Sequence, residues 1–283
     1  MKHLANAGET TVTIEKFEKL DPPQEERSKE DLVLIFLDVE TTGLSFDSDR
    51  IIQLCFRPVL VNRESYKVTA IAKSKVFHND PGFPLSEEIQ KLTGLQDEDL
   101  SGESIDWEWI AQNIKRSDFV VCHNANFDRG MLEGEFRRAN INPAEIDTIW
   151  GCSMNQVYWR DFCRPSKALE VISAWTGFFY DAHQAANDVD AMIHVLRKNK
   201  KLSELLKSAI LPDYRVFAMN SPRDKNPELK KRRYRWDPNV SCWYKNFSDS
   251  ELANSELDWL KSLSDSIDPQ LFEIEAKYRF SAE

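Results

Sequence analysis

Residues 32–43 read Leu32-Val33-Leu34-Ile35-Phe36-Leu37-Asp38-Val39-Glu40-Thr41-Thr42-Gly43, an apolar run that passes into two acids and a turn. Six consecutive apolar residues are typical of a strand that is buried on both faces of a sheet. Asp38 and Glu40 lie two residues apart, so their side chains point to the same side of that strand. Two like charges at the end of a buried strand are costly without a cation between them. The stretch therefore predicts an α/β fold with a cation site, and the alternative is two solvent-exposed acids at a strand end.

The neighbouring sequence predicts the rest of the sheet. Two β-rich runs follow after short polar connections, and each can pair with its predecessor as a hairpin. Buried strands and amphipathic helices then alternate, which indicates an α/β sheet of mixed direction. The predicted strands span 32–37, 51–60, 66–77 and 119–122, and the predicted helices span 86–92, 105–114, 127–138, 168–175 and 185–198.

Two further acids and a histidine lie at the ends of later elements. Asp128 begins the helix after a buried strand, where its alternative role is that of an acid favoured by the helix dipole. His183 and Asp188 flank the start of a long helix, where the alternative is a capping pair on an exposed helix end. Carboxylates bind hard divalent cations, and a neutral imidazole can accept a proton from water. Because two such cations can hold both oxygens of a phosphoryl displacement, the set predicts phosphodiester hydrolysis.

Composition excludes several other classes of protein. The formal charge of 37 minus 47, or −10, is not that of an obvious nucleic-acid binder, so such binding would depend on local basic patches. The five cysteines form no C-x-x-C pair, which argues against a disulfide framework and a structural zinc site. The sequence contains no apolar run that could span a membrane and no secretory segment near Met1. We therefore expect a cytoplasmic protein without membrane contact.

Composition changes along the chain predict three regions. Residues 1–30 are polar and are expected to be loosely ordered, residues 31–210 carry the acidic motifs, and residues 211–283 predict a small α+β domain.

A cluster of basic and aromatic residues in the last region suits single-strand binding by phosphate contact and base stacking. The alternative is that the two tryptophans are core residues and the cations are a solvated surface. The cluster comprises Lys230, Lys231, Arg232, Arg233, Arg235, Trp236 and Trp243.

The three acidic motifs resemble those of the DnaQ-like 3′→5′ exonucleases of the DEDDh group. The match covers Asp38 to Leu44, His123 to Asp128, and the pattern His183-x-Ala185-x-x-Asp188-x-x-Ala191. The resemblance extends over roughly residues 31–202 and implies a ribonuclease H-like fold with a mixed five-stranded sheet flanked by helices. It also implies that Asp38, Glu40, Asp128 and Asp188 hold two Mg²⁺ or Mn²⁺ ions and that His183 is the general base.

The same resemblance implies where the substrate lies. Thr41, Thr42, Gly43 and Leu44 would seat the last nucleotide, and Glu88 would approach its sugar. Thr93 falls where a histidine is common in the family. Gly43 also suits a turn that needs a positive φ. These residues are expected to surround a single-stranded 3′ end.

The expected activity is a metal-dependent 3′→5′ exonuclease that releases nucleoside 5′-monophosphates, with DNA favoured over RNA because the motifs are similar to the proofreading branch. Three alternatives remain. One is an exoribonuclease of the oligoribonuclease or ribonuclease T type. Another is a catalytically silent nucleic-acid-binding protein, and the third is a phosphatase with Asp38 as its nucleophile. Neither a polymerase partner nor an oligomeric state can be inferred from the sequence.

Overall fold

The computed structural model describes residues 2–7, 10–161, 163 and 165–281. The chain divides into two compact units. The larger unit runs to Ala209 and takes in the chain again from Phe280, and the smaller unit spans Ile210–Arg279. In the described part of the chain, none of the helices combines the length and the hydropathy that a membrane crossing needs.

The larger unit contains nine strands and seven helices within the described residues. Its strands are β1 (Lys2–Ala7), β2 (Thr10–Lys16), β3 (Leu32–Thr41), β4 (Ile51–Val61), β5 (Val68–Ile71), β6 (Lys75–His78), β7 (Phe119–Cys122), β8 (Ile149–Cys152) and β9 (Phe178–Phe179). Its helices are α1 (Glu87–Thr93), α2 (Asp97–Leu100), α3 (Trp107–Lys115), α4 (Ala125–Arg138), α5 (Leu169–Thr176), α6 (Ala185–Lys198) and α7 (Leu202–Ala209).

The main sheet has the order β5-β4-β3-β7-β8, and β6 also pairs with β4. Strand β3 is antiparallel to β4 and parallel to β7, which confirms a sheet of mixed direction. The sequence predicts one strand over 66–77, whereas the structure has two, because the long strand β4 pairs with β5 near its end and with β6 nearer its start. The strand β8 is not predicted from the sequence, because Gly151 interrupts its apolar residues, whereas β7 is an unbroken apolar run.

Strand β3 lies in the middle of this sheet, and its side chains alternate between two cores. Leu34 and Phe36 pack in one core with residues of α5, α6 and α7. Ile35 and Leu37 pack in the other core with residues of α3 and α4. Because the alternation continues along the strand, Asp38 and Glu40 are directed to the α6 side of the sheet.

A second, small sheet has the order β1-β2-β9, with Glu15 of β2 beside Phe178 of the parallel strand β9. Beyond β2, the guanidinium of Arg197 donates a hydrogen bond to the carbonyl of Asp21 at 2.7 Å. The segment over 1–30 that the sequence predicts to be loosely ordered therefore includes strands in its described part.

The smaller unit is a four-stranded antiparallel sheet with a helix packed on one face. Its elements are β10 (Asp213–Met219), α8 (Asn226–Lys231), β11 (Arg235–Asp237), β12 (Cys242–Phe247), α9 (Ser250–Leu263) and β13 (Asp268–Ile274), and the strand order is β11-β12-β10-β13. The sequence predicts the last strand over 271–280, which is wrong at both ends. Strand β13 pairs with β10 from Asp268 to Ile274, and it stops there because its partner begins at Asp213.

Candidate metal centre

Three carboxylates from β3 and α6 meet at one edge of the main sheet. Asp38 and Glu40 come from the last residues of β3, and Asp188 comes from the first turn of α6. One oxygen of each lies within 4.8 Å of the others. All three side chains are half-buried, so a group bound among them would still reach solvent. The structure thus brings together residues that are 150 positions apart in the sequence.

Asp188 is held in place by two hydrogen bonds. The hydroxyl of Tyr180 donates to Oδ1 at 2.7 Å, and the backbone N–H of Gln184 donates to Oδ2 at 3.2 Å. The helix start is tied to the sheet as well, because the N–H of Ala185 donates to Oε1 of Gln53 on β4 at 3.0 Å. Nε2 of Gln53 lies 3.0 Å from Nε2 of His78. Gln53 therefore positions α6.

Asp128 lies in the first turn of α4, directly after β7. Its side chain is only 3% exposed, and it accepts a hydrogen bond from the N–H of Val39 between the two acids of β3. The charge of Asp128 raises the pKa of both Asp38 and Glu40, so it lies near enough to repel them. Asn124 precedes the helix with φ 110°, which turns the chain from the strand into the helix.

The pKa values of all four acids are raised. Burial is the largest cause in each case, and repulsion by the neighbouring carboxylates adds to it for Asp38 and Glu40. The pKa of Glu40 rises to about 8 and that of Asp128 to about 7. For Asp38, every cause acts in the raising direction. The centre therefore crowds acidic groups together, and without a cation the fold favours the protonated forms of these acids.

This set of side chains fits a hard divalent cation. All the ligands would be carboxylate oxygens, which Mg²⁺ and Mn²⁺ prefer over nitrogen or sulfur donors. A bound cation would offset the mutual repulsion that raises the pKa values of the acids. The acids that the sequence analysis assigns to the metal are Asp38, Glu40, Asp128 and Asp188, and the first, second and fourth form the tight cluster.

His183 lies in the loop before α6 and is exposed. Its φ of 62° is in the left-handed region, which non-glycine residues seldom adopt. Its charge lowers the pKa of Asp188, so the imidazole lies close to that carboxylate. The position suits a side chain that reaches the centre from the solvent side.

The turn after β3 contains the residues that the sequence assigns to the last nucleotide. Thr41 donates to the carbonyl of Gly43 at 2.6 Å, and Thr42 donates to Oδ1 of Asp49 at 3.1 Å. Leu44 is 82% exposed. The expectation that Gly43 needs a positive φ is wrong; a Cβ at this position would lie 2.6 Å from the Asp49 carboxylate, so the requirement is space.

The helix α4 packs against this turn and forms hydrogen bonds with it. The sequence analysis does not identify the residues that make these contacts. Glu135 accepts hydrogen bonds from Nε of Arg50 at 2.9 Å and from the N–H of Ile51 at 3.0 Å. Gly130 and Gly134 lie against Phe46, whose carbonyl oxygen would be 2.4 Å from a Cβ on Gly134. The only sequence signal for this contact is a pair of glycines four residues apart inside a helix, which indicates a close approach of backbone.

The remaining predicted substrate residues lie on α1. Glu88 is exposed, whereas Thr93 is buried. The hydroxyl of Thr93 donates to the carbonyl of Ile89 at 2.9 Å and accepts from the N–H of Leu95 at 3.2 Å. A contact of these two residues with a nucleotide stays a prediction.

His123, to which the sequence analysis assigns no chemistry, bridges two loops. Nδ1 lies 2.7 Å from Oγ of Ser153, and Nε2 lies 2.8 Å from the carbonyl oxygen of Lys167. Burial lowers its pKa to about 4, so the ring is neutral near pH 7. Both ring nitrogens are engaged, which is a structural role.

The basic and aromatic cluster of the smaller unit is divided by the fold. Trp243 is 8% exposed and donates from Nε1 to Oδ1 of Asn226 at 2.9 Å, and Arg232 makes two hydrogen bonds to the buried Glu256 at 2.8 and 3.0 Å. These two residues are engaged in the fold of the unit. Arg232 is nevertheless exposed, as are the other members of the cluster, namely Lys230, Lys231, Arg233, Arg235 and Trp236.

Part of the chain is similar to known exonuclease and DNA polymerase sequences. The family model RNase_T, described as an exonuclease, matches residues 35–196. The PolC-type DNA polymerase III of Streptococcus suis is 34% identical over 126 residues, or 42% of this chain and 8% of that protein. The PolC-type polymerase of Lacticaseibacillus paracasei is 34% identical over 136 residues, or 46% of this chain and 9% of that protein. The chain thus spans less than a tenth of the length of these relatives.

Solved structures share the fold at low sequence identity. A structure of exonuclease I superposes with a TM-score of 0.54 and 14% identity. The superposed region covers 88% of this chain and 66% of the exonuclease I chain. Escherichia coli exonuclease I in complex with a dA16 oligonucleotide gives a TM-score of 0.53 and 15% identity. That match covers 81% of this chain and 68% of the exonuclease I chain. This likeness shows that the chain has a ribonuclease H-like fold, and the family match over more than half of its length shows that it belongs to the RNase_T exonuclease family.

Proposed function

We propose that this protein is a divalent-metal-dependent 3′→5′ exonuclease that removes nucleoside 5′-monophosphates from single-stranded 3′ ends, with DNA as the preferred substrate. The observation that carries the proposal is the convergence of Asp38, Glu40 and Asp188 within 4.8 Å at the end of a buried strand. The similarity to PolC-type DNA polymerases and to exonuclease I supports DNA over RNA. We place the activity in residues 31–210.

Asp38, Glu40, Asp128 and Asp188 would hold two Mg²⁺ or Mn²⁺ ions. When bound, such ions polarise a phosphodiester and make water more acidic. The mutual repulsion of the four acids is what a cation would relieve. Tyr180 and the N–H of Gln184 keep the Asp188 carboxylate in an orientation in which one of its oxygens lies within 4.8 Å of oxygens of Asp38 and Glu40.

The remaining chemistry falls to His183 and to the turn after β3. A water molecule attacks the phosphorus of the last phosphodiester, and the bond from phosphorus to the 3′-oxygen breaks. His183 accepts the proton of that water, and the departing 3′-oxygen takes a proton from solvent. The products are a nucleoside 5′-monophosphate and a strand that is one residue shorter. Leu44, exposed beside the centre, would pack against the terminal base.

Digestion of matched end-labelled DNA and RNA oligonucleotides tests the proposal. With Mg²⁺ or Mn²⁺ we expect stepwise shortening from the 3′ end, none in EDTA, and faster loss of DNA than of RNA. Asp38→Asn should abolish hydrolysis and leave the circular dichroism spectrum unchanged, while Asp97→Asn on α2 serves as an acid-to-amide control. Hydrolysis by Asp38→Asn at the wild-type rate would refute the metal centre. Faster loss of RNA would favour the oligoribonuclease-like alternative.

A further inference from the structure

The strands of the smaller unit expose one face that carries aromatic and basic side chains. The helix α9 packs on the opposite face, where Val216, Ala218 and Trp243 form the core. Because strand side chains alternate, the neighbours of these residues point away from α9. This surface, here called the aromatic face, consists of Arg215, Phe217, Arg235, Tyr244 and Phe272. It lies outside residues 35–196, which the family model matches.

Strand pairing places these residues in two adjacent rows. Arg235, Tyr244, Phe217 and Gln270 are direct partners across all four strands. Asn246, Arg215 and Phe272 form the next row across three strands. Neither row contains an acidic side chain. The rows therefore form a continuous patch with a positive character, although the whole chain carries a charge of −10.

The rings on this face lie close to one another. The centroid of Phe217 is 6.1 Å from that of Tyr244 and 5.6 Å from that of Phe272. Phe272 is 55% exposed, and Phe217 and Tyr244 are half-buried. A partly exposed cluster of three rings on a sheet leaves apolar surface in contact with water, which a partner can bury. The patch thus has the properties of a binding surface.

Two arginines set the chemistry of that partner. The guanidinium of Arg215 lies 4.5 Å from the ring centroid of Tyr244 and donates to Oδ1 of Asn246 at 2.9 Å. Arg235 is exposed at the edge strand β11. The acids nearest to the two rows are Asp237 and Asp268, one row beyond, and Asp213, which is paired with Arg279 at 3.0 Å. Rings that stack on bases beside cations that contact phosphates are the combination that single-stranded nucleic acid needs.

We propose that the aromatic face is a second nucleic-acid site, which holds the single strand by stacking bases on Phe217, Tyr244 and Phe272 and by pairing Arg215 and Arg235 with phosphates. The choice of a nucleic acid as the partner rests in part on the proposed function. The site consists of other residues than the acidic centre and needs no divalent ion. It shares Arg235 with the cluster that the sequence predicts, but the other members differ, and Trp243 of that cluster lies on the α9 side of the sheet.

The test measures binding without hydrolysis. The full chain carrying Asp38→Asn is titrated, in EDTA, into a labelled oligothymidylate, and fluorescence anisotropy gives the dissociation constant. Adding Phe272→Ala or Tyr244→Ala should weaken binding about fivefold or more, the range of one lost base stack. Adding Arg215→Gln should lower the slope of log affinity against log salt by about one. Leu252→Ala, an exposed apolar residue on α9, is the matched control and should change neither quantity.

A second measurement does not depend on how well a variant folds. Photocrosslinking of a bromodeoxyuridine oligonucleotide to the same full chain should label peptides from β10, β12 or β13. Unchanged affinity in the Phe272→Ala and Arg215→Gln variants, with no crosslinks in these strands, would overturn the proposal. Loss of affinity on Lys230→Ala and Lys231→Ala alone would assign binding to the other cluster instead. A change in sedimentation on Phe272→Ala without a change in affinity would show that a second copy of the chain covers the face.

Each outcome is separable from the exonuclease assay. Failure of the aromatic face would leave hydrolysis of short oligonucleotides intact, because the acidic centre would be unaffected. Failure of the exonuclease proposal would leave binding in EDTA unchanged. The two proposals therefore stand or fall on different measurements.

Discussion

The hydroxyl of Tyr180 donates a hydrogen bond of 2.7 Å to Oδ1 of Asp188. Burial and the Asp188 charge raise the pKa of Tyr180, so the phenol stays protonated and remains a donor. The same bond lowers the pKa of Asp188 against the opposing effect of burial. One neutral side chain therefore keeps a half-buried carboxylate oriented and lowers its pKa.

Removal of this donor tests whether Tyr180 supports the metal centre. We expect Tyr180→Phe to weaken Mn²⁺ binding roughly tenfold, the lower end of the usual effect of a lost hydrogen bond to a metal ligand. Isothermal titration with Mn²⁺ measures this directly. Tyr158→Phe, at an exposed tyrosine, should bind as the wild type does. Equal affinities of Tyr180→Phe and wild type would mean that the packing of α6 alone orients Asp188.

His183→Ala separates proton transfer from metal binding. The loss of a general base should slow hydrolysis by roughly 10²–10⁴-fold. Affinity for Mn²⁺ should stay close to that of the wild type, because none of the acids is altered. Asp181→Ala in the same exposed loop is the control for disturbance of the loop. A parallel loss of rate and of Mn²⁺ affinity would reassign His183 as a metal ligand.

The metal-free protein should lose stability as pH rises through the range in which Glu40 titrates. The pKa of Glu40 is about 8 in the folded chain against an ordinary value of 4.5, so the folded state binds more protons between these limits. Its contribution to the free energy of unfolding is therefore fully present below about pH 4.5 and lost by about pH 8.

Thermal unfolding in EDTA at several pH values measures this effect. Between pH 5 and 8, the melting temperature of Glu40→Gln should fall less than that of the wild type. This pH range lies roughly between the pKa of Glu40 in the unfolded chain and its pKa in the folded chain. Glu88→Gln, at an exposed acid, controls for the loss of a charge. Mn²⁺ should raise the melting temperature of the wild type at pH 8 by mass action. Identical pH profiles for Glu40→Gln and wild type would place Glu40 outside the repelling cluster.

Gly134→Ala should destabilise the protein although alanine favours helices. An exposed helical position gains roughly 0.5–1 kcal/mol from this change. Here the new Cβ would lie 2.4 Å from the carbonyl oxygen of Phe46, which is backbone. We expect a net loss of about 1–3 kcal/mol, as for other overpacked sites.

Gly130→Ala serves as the comparison for this prediction. Its Cβ would meet the Phe46 ring at 2.5 Å, and a ring can rotate away. Denaturation by urea measures both variants, and we expect Gly134→Ala to be the less stable. Because Phe46 lies in the turn beside the centre, Gly134→Ala should also lower the exonuclease rate. A stabilised Gly134→Ala would contradict the close contact between α4 and the turn.

The sequence alone determines the strand β3 and the side to which its acids point. Six apolar residues require burial on both faces, and the alternation of side chains then directs Asp38 and Glu40 to one side. The helix α6 is predicted from 185, where it begins, and α4 is predicted from 127, two residues after its start at Ala125. These features depend on neighbours in sequence, and local patterns encode them.

Only the tertiary structure decides which distant residues meet. Nothing in the local pattern of Tyr180 or Gln53 shows that one holds Asp188 and the other holds the start of α6. The aromatic face depends in the same way on the register of strands up to 57 residues apart, since a shift of one residue would move every ring to the other side. The sequence does not distinguish whether Trp243 and Phe272 are core residues or exposed residues. The pairing of β12 and β13 with β10 places Trp243 in the core and Phe272 in contact with solvent. The energy of strand pairing depends on many contacts between residues that are distant in sequence. The sequence therefore supplies the residues that could form a site, and the folded sheet decides which of them lie side by side.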